Sequence, residues 1–194
     1  MKKLLVLLAL LSILVGAGGV VAMEKEIIKV KMVTSEGIIE LELFPEKAPI
    51  TVANFVKYAE DGFYNGLVFH RIMSNFMIQG GGFDIDNNYI NPTQKPIKNE
   101  ANNGLSNEIG TIAMARTNAP HSATSQFFIN VKNNQMLNYR DERNWGYCVF
   151  GKITKGIEVV NKIKMTPTTA DPRSGEKSVP TKKVIINKVI IIKE

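Results

Sequence analysis

The sequence has few of the residues that carry most enzyme chemistry. It contains one cysteine and two histidines in 194 residues, so an internal disulfide is excluded. The histidines, His70 and His121, are not spaced with carboxylates or cysteines as metal ligands are, and we expect no metal site. A Gly-x-Ser-x-Gly elbow, a phosphate-binding loop and a dinucleotide fingerprint are also missing. Metal, nucleotide and cofactor chemistry are therefore disfavoured, and we expect no cofactor.

The charged residues show no concentration of one sign. The formal net charge is +6, from 24 Lys and Arg against 18 Asp and Glu, and the two signs are mixed along the chain. There is no arginine-rich stripe and no interleaving of basic with aromatic residues, so we expect no nucleic-acid partner. The length suits a single domain with one well-buried core.

The single long hydrophobic run of the sequence lies at its N-terminus. Two lysines at residues 2–3 precede apolar residues 4–15, and small residues lead to Ala22. This pattern is typical of a secretory signal peptide. We therefore predict a signal peptide at residues 1–22, cleaved after Ala22, and one mature domain at residues 23–194 in the periplasm. The alternative is an N-terminal membrane anchor, because the uncharged run is nearly long enough to cross a bilayer.

Hydrophobic periodicity predicts a mainly β fold. Period-2 alternation and apolar runs predict short strands, which lie at residues 28–33, 38–43, 111–115, 126–130, 149–153 and 184–192. Helical spacing predicts helices at residues 48–60 and 157–163, and the Asn, Pro and Gly content of residues 84–110 predicts a long ordered loop. We expect a closed or nearly closed β-barrel, because an open sheet would leave the apolar last strand as an exposed edge.

The most informative segment is residues 69–83. It places Arg71 among aromatic, thioether and amide side chains and ends in a run of three glycines at residues 80–82. A strand that projects Arg71 and Gln79 beside Phe76 and Met77 would form an apolar surface with one fixed charge and one amide. Such a surface suits a prolyl peptide, and the glycines would let the backbone turn beside it.

Three motifs connect this segment to a known family. They are Phe69-His70-Arg71 with Phe76-Met77-x-Gln79-Gly80-Gly81, then Ala123-Thr124-Ser125-Gln126-Phe127-Phe128-Ile129, then Val149-Phe150-Gly151. With these motifs in this order, the chain resembles the cyclophilin family of peptidyl-prolyl cis-trans isomerases, in its bacterial exported branch. The resemblance implies a closed eight-stranded antiparallel β-barrel capped by two α-helices. It also implies a monomeric isomerase that needs no cofactor and acts on proline-containing polypeptides, here exported proteins as they fold.

The resemblance also implies residue roles. Arg71 aligns with the catalytic arginine of the family. The positions that align with substrate-binding residues are Phe76, Met77, Gln79, Ala115, Arg116, Gln126, Phe128, Met136, Leu137 and Tyr147. Met136 stands where a tryptophan is common in the family, and Tyr147 stands where a histidine is common. We therefore expect isomerase activity but weak or no cyclosporin binding.

The implied reaction is physically coherent for an arginine. An X-Pro amide rotates slowly because resonance must be broken, with a barrier of about 20 kcal/mol. Twisting the bond localises a lone pair on the proline nitrogen, and a guanidinium can donate to that lone pair in the twisted state alone. This is preferential stabilisation of the transition state.

Two other functions compete with the isomerase. The first is a prolyl-peptide-binding module or holdase chaperone on the same barrel, but the combination of Arg71, Gln79 and Phe128 favours an enzyme, because binding alone would tolerate their loss. The second is a barrel-shaped hydrolase, and the missing pair of nucleophile and base argues against it.

Overall fold

The computed structural model describes residues 27–192, so the predicted signal peptide and its cleavage point lie outside the described residues. The strands in this range are β1 (Ile28–Thr34), β2 (Gly37–Leu43), β3 (Phe69–Met73), β4 (Met77–Gly80), β5 (Thr111–Met114), β6 (Phe127–Asn130), β7 (Val149–Lys155), β8 (Thr168–Ala170), β9 (Lys177–Pro180) and β10 (Ile186–Ile192). The helices are α1 (Pro49–Glu60), α2 (Ile157–Lys164) and a 3-10 turn at Gln135–Leu137. No helix in this range is both long and apolar enough to span a membrane.

The first two strands form the predicted hairpin. Their alternation buries Val30 and Met32 of β1 together with Leu41 of β2, while the residues between them stay partly exposed. The Thr34 hydroxyl donates to the Gly37 carbonyl oxygen at 2.7 Å and helps to close the turn. Because the buried residues of both strands all lie on one face, the register of the pair is strongly specified.

Eight strands form one antiparallel sheet, in the order β10-β1-β2-β7-β5-β6-β4-β3. The predicted eight-stranded antiparallel sheet is confirmed, but the predicted closure of the barrel is wrong: the sheet is an open half-barrel. The starts of its end strands β3 and β10 meet at an isolated bridge between Val68 and Ile185. There the Phe69 amide donates to the Val184 carbonyl oxygen at 2.9 Å, and the Ile186 amide donates to the Leu67 carbonyl oxygen at 2.7 Å. Beyond Phe69, β3 instead lies against β9, which pairs with β8 in a separate two-stranded sheet.

The two predicted helices are confirmed to within one residue. Pro49 occupies the first turn of α1, where its missing N–H costs nothing. This helix buries Val52 and Phe55 and contacts β10. The second helix, α2, buries Val160 and Ile163 and contacts β2. The helices therefore cover the apolar face of the sheet, which is what amphipathic helices require.

Aromatic rings fill the centre of the core. Phe55 of α1 lies 5.2 Å from Tyr64 and 5.3 Å from Phe150, measured between ring centroids. The buried Tyr64 hydroxyl donates to the Ser125 carbonyl oxygen at 3.0 Å, so its polar atom is satisfied. Cys148 is buried at the edge of this core, and burial raises the pKa of its thiol to about 11. It is a small apolar residue and not a reactive thiolate.

Gly156 provides a test of how β7 joins α2. Its φ is +87°, and a Cβ atom there would collide with the Ile38 carbonyl oxygen. We expect Gly156→Ala to lower the free energy of unfolding by about 3 kcal/mol, from left-handed strain plus that clash. Gly66→Ala is the matched control, because Gly66 has a φ of +82° but no atom within 4 Å of the position that a Cβ would take. It should cost about 1 kcal/mol. Urea denaturation of both variants measures the difference, and equal losses would contradict the prediction.

Candidate functional site

The register of five neighbouring strands brings side chains from distant parts of the chain into one row. Arg71 of β3 lies opposite Gln79 of β4, and Gln79 lies opposite Phe128 of β6. Phe128 is in turn opposite Ala113 of β5, which pairs with Val149 of β7. Cross-strand partners project to the same face of a sheet. Arg71, Gln79 and Phe128 therefore share one face.

The alternate positions of the same strands face the core. Ile72, Ile78, Ile112 and Ile129 belong to the main buried cluster and are at most 1% exposed. On the opposite face, the three apolar residues of the row join Met77 in a second buried cluster, made of Met77, Ala113, Phe128 and Val149. The partly buried residues that pack against it are Met73, Phe76, Leu105, Ala115, Leu137 and Tyr147. We call this second cluster, with these flanking residues, the outer pocket.

The outer pocket contains most of the predicted substrate-binding residues. Phe76, Met77, Phe128 and Leu137 all belong to it. The Tyr147 ring lies edge-on to Phe128 at 5.7 Å between centroids and forms one wall. Because Phe76, Leu137 and Tyr147 are only partly buried, the pocket opens to the surface. A partly exposed apolar cluster of this kind suits a small apolar ligand group.

Met136 is the predicted apolar residue that does not belong to the outer pocket. Its side chain is 63% exposed, although it lies in the 3-10 turn next to Leu137. The structure therefore places Met136 at the rim and Leu137 in the pocket.

Arg71 is held beside the outer pocket by a pair of amides. Its Nη1 donates to Gln79 Oε1 at 3.3 Å, and Gln79 Nε2 donates to Gln126 Oε1 at 2.9 Å. The guanidinium carbon lies 5.9 Å from the centroid of the Phe76 ring, and the side chain of Arg71 is 31% exposed. A cation is therefore fixed at the edge of an apolar surface, where its hydrogen bonds are less screened than in water.

A carboxylate that sequence analysis missed holds the other edge of this guanidinium. Glu176 accepts from Arg71 Nε at 2.6 Å through Oε2 and from Nη2 at 2.8 Å through Oε1. The Arg71 guanidinium holds the pKa of the Glu176 carboxyl below its ordinary value, so this residue is ionised at neutral pH. Glu176 lies between β8 and β9, two short strands that carried no predictive pattern.

The run of glycines makes room for one of the amides. A Cβ atom on Gly82 would lie 2.6 Å from Cγ and Cδ of Gln126, so the Gln126 side chain lies directly against this backbone. Gly81 has a φ of +83°, which favours glycine. The predicted turn is present, and the third glycine also leaves space for the Gln126 side chain.

Arg116 supports the far wall of the pocket. Its Nε donates to the Gly146 carbonyl oxygen at 2.8 Å, and its guanidinium carbon lies 4.5 Å from the centroid of the Tyr147 ring. The backbone amide of the preceding Ala115 donates to the Gln126 carbonyl oxygen at 3.0 Å. These contacts connect Arg116 to Tyr147 and Ala115 to Gln126.

A buried network of asparagines fixes the backbone beneath the pocket, and sequence analysis missed it. Asn134 Nδ2 donates to the Phe76 carbonyl oxygen at 2.8 Å and to Asn130 Oδ1 at 2.7 Å. Asn130 Nδ2 donates to Asn107 Oδ1 at 3.1 Å, and Asn107 Nδ2 reaches the Leu137 carbonyl oxygen at 3.1 Å. The network therefore ties Phe76 to Leu137. In the sequence, asparagine-rich segments indicate loops, and nothing marked these amides as a scaffold.

The described residues offer no clear metal site. Residues 27–192 contain no group of three or more His, Cys, Asp and Glu side chains close enough to hold a metal ion. His121 is exposed, and its Nδ1 accepts from the Asn99 amide at 3.1 Å.

Comparisons with known proteins show the family of the chain. Residues 29–191 match the family model described as cyclophilin type peptidyl-prolyl cis-trans isomerase/CLD. The chain is 52% identical over 161 residues to peptidyl-prolyl cis-trans isomerase B of Escherichia coli K12, covering 81% of this chain and 96% of that protein. It is 50% identical over 165 residues to peptidyl-prolyl cis-trans isomerase A of Dickeya dadantii, covering 85% of each.

Solved structures agree as well. A cyclophilin type peptidyl-prolyl cis-trans isomerase of Cryptosporidium parvum is similar with a TM-score of 0.70 and 26% identity, covering 87% of this chain and 99% of that one. The chain therefore belongs to the cyclophilin-type peptidyl-prolyl cis-trans isomerase family. Its activity is the cis-trans isomerisation of prolyl peptide bonds.

His70, next to Arg71, provides a pH test of this side of the sheet. Burial lowers the pKa of its imidazole from 6.5 to about 4, and its ring lies 4.5 Å from Phe83. The folded state prefers neutral His70. The stability that follows is therefore fully present above pH 6.5 and is lost as the pH falls towards 4. The loss is at most about 3 kcal/mol.

We expect His70→Phe to flatten this part of the pH dependence, because phenylalanine keeps the ring contact with Phe83 but cannot take up a proton. Denaturant unfolding of both proteins between pH 7 and pH 4 measures the effect. If both curves fell in parallel, another group would be responsible.

Proposed function

We propose that Arg71 catalyses rotation about X-Pro bonds by donating a hydrogen bond to the proline nitrogen in the twisted transition state, while the outer pocket holds the proline ring. The observation that carries the proposal is the position of a guanidinium, fixed by Gln79, at the edge of an open apolar pocket. The substrates are proline-containing polypeptides, and we propose that they include exported proteins during folding.

The outer pocket suits a proline ring. Phe76, Met77, Phe128 and Leu137 present apolar atoms on several sides, and a pyrrolidine ring has no N–H to satisfy. The structure of the related Cryptosporidium parvum enzyme solved in the presence of the dipeptide Ala-Pro, with a TM-score of 0.69, supports this assignment. Holding the ring while the preceding residue rotates would let the site act on one side of the bond.

The guanidinium suits the transition state better than the ground state. In the planar amide the nitrogen lone pair is delocalised and accepts poorly; in the twisted amide it is localised and accepts well. An acceleration of about 10⁵ needs about 7 kcal/mol. A charge-assisted hydrogen bond in a poorly hydrated pocket, added to immobilisation of the ring, is sufficient in size. Neither a covalent intermediate nor a cofactor enters this mechanism.

The remaining predicted residues would hold the peptide on either side of the proline. Gln79 orients Arg71, while Gln126, Ala115 and Arg116 line the approach beside Tyr147. On the other side, a groove of about 490 Å³ continues from Phe76. The groove has room for residues that flank the proline.

Met136, at the rim of the pocket, is the residue on which our expectation for cyclosporin binding depends. Met136 is 63% exposed and offers a flexible thioether where the family commonly has an indole. We therefore propose that the protein binds cyclosporin weakly or not at all. We also propose that it acts as a monomer, as the family resemblance implies.

The mechanism is tested by Arg71→Ala. Removing the donor should lower kcat/KM on a short Ala-Pro peptide at least about 100-fold, because a single preorganised donor is typically worth that much. Arg140→Ala is the matched control, since Arg140 is an exposed arginine outside the row, and it should retain the wild-type rate. A fully active Arg71→Ala would overturn the mechanism. Suppression of aggregation by a wild-type protein that does not speed isomerisation would favour a binding module instead.

We also propose that the chain is exported and acts in the periplasm. The basic start, apolar run and small residues before Ala22 support a cleaved signal peptide. Determining the first residue of the protein purified from its native compartment tests this directly. We expect Met23; retention of Met1 in the membrane fraction would favour the anchor.

A further inference from the structure

Arg71 is hydrogen-bonded to Glu176 as well as to Gln79. Both carboxylate oxygens of Glu176 accept hydrogen bonds from the guanidinium, from Nε at 2.6 Å and from Nη2 at 2.8 Å. This is the bidentate arrangement in which an arginine and a carboxylate fit best. The two residues are 105 positions apart in the chain, so the β8–β9 hairpin delivers the carboxylate to the site.

Glu176 and Gln79 leave some N–H groups of the Arg71 guanidinium to weaker acceptors. A guanidinium has five N–H groups. Glu176 takes two of them and Gln79 takes one. Within residues 27–192, the acceptors found for the rest are the Sδ atoms of Met73, 3.3 Å from Nη2, and of Met77, 3.9 Å from Nη1. Thioether sulfur is a weak acceptor, so a substrate can displace it at little cost.

The arrangement therefore fixes the guanidinium on two edges and leaves weakly bonded donors towards the outer pocket. An unrestrained arginine side chain would lose rotamer entropy on being fixed. A side chain that Glu176 and Gln79 already hold has lost this rotamer entropy before the substrate binds. The neutral proline nitrogen needs a directed N–H and not a net charge, so pairing with a carboxylate does not remove the useful donor.

We propose that Glu176 is a positioning residue that holds the Arg71 guanidinium in the orientation needed for catalysis. It acts through Arg71 and does not touch the substrate. This inference rests on the proposed function of Arg71 and extends it to Glu176, the one residue of the loop between β8 and β9 that is argued to act through Arg71.

The test compares Glu176→Ala with Glu176→Gln. Removing the carboxylate should lower the isomerisation rate at saturating Ala-Pro peptide about tenfold, because a misplaced catalytic group costs rate and not binding. KM should change less than about twofold, because the outer pocket is intact. Glu176→Gln keeps one acceptor oxygen and should fall between Glu176→Ala and the wild type. It also serves if the alanine variant folds poorly, which thermal unfolding of each variant reports.

Two matched controls separate positioning from general effects. Glu40→Gln removes a glutamate of similar exposure, 34% against 32%, that pairs with Lys155 at 3.0 Å outside the site. Arg173→Ala breaks the ion pair to Asp171 on the same loop as Glu176. Both variants should keep the wild-type rate.

A spectroscopic readout reports the orientation itself. The Nε–H signal of Arg71 in NMR should show restricted motion and slow exchange with water in the wild type. Both properties should be lost in Glu176→Ala and kept in the two controls. Loss of this signal in Glu176→Ala without a fall in the isomerisation rate would contradict the positioning role, because the ion pair would then hold Arg71 without affecting catalysis.

A double-mutant cycle shows whether the effect passes through Arg71. Adding Glu176→Ala to Arg71→Ala should change the residual rate by less than about twofold, since there is no guanidinium left to orient. An unchanged or raised rate in Glu176→Ala, alongside an inactive Arg71→Ala, would overturn the positioning role and leave the function of Arg71 standing. A fully active Arg71→Ala would overturn both.

Discussion

The site depends on the antiparallel register of β3, β4, β6, β5 and β7. Side chains alternate between the two faces of a strand, so a slip of one residue in any of these pairs would exchange a core residue for a site residue. Ile78 and Ile129 face the core, while their neighbours Gln79 and Phe128 face the outer pocket. The burial of the isoleucines therefore determines where the functional side chains point. Stability and function are coupled through one geometric constraint.

Two apolar clusters lie on opposite faces of one sheet, and they differ in how far they are closed to solvent. The core is closed by α1 and α2 and filled by aromatic rings. The outer pocket is left partly open, and its shape is maintained by amides, because Asn134 and Asn107 hold the backbones of Phe76 and Leu137. Hydrogen bonds are directional, whereas apolar contacts alone would let the pocket collapse.

Arg71 shows how a partly exposed ion pair can matter more for geometry than for stability. Exposed and half-exposed ion pairs contribute little to the free energy of unfolding, about 0–1 kcal/mol. The pair with Glu176 nevertheless restricts a long side chain, and the amide pair Gln79 and Gln126 restricts it from the other side. The close approach of Gln126 to Gly82 extends this restraint to the backbone.

Local patterns in the sequence determined the hairpin of β1 and β2, both helices and most strands, because hydrophobic periodicity is set by which face of an element is buried. They also pointed to residues 69–83, where an arginine stands among apolar and amide side chains. The predicted closure of the barrel is wrong. Whether β9 or β10 lies alongside β3 depends on contacts between distant segments, which local patterns do not show. The tertiary structure alone decided that Glu176 meets Arg71 across 105 residues, since the β8–β9 hairpin is too short and polar to show a pattern. Residue types and their spacing predict which side chains a strand buries. The partner of a charged side chain depends instead on which distant segments the tertiary structure brings together.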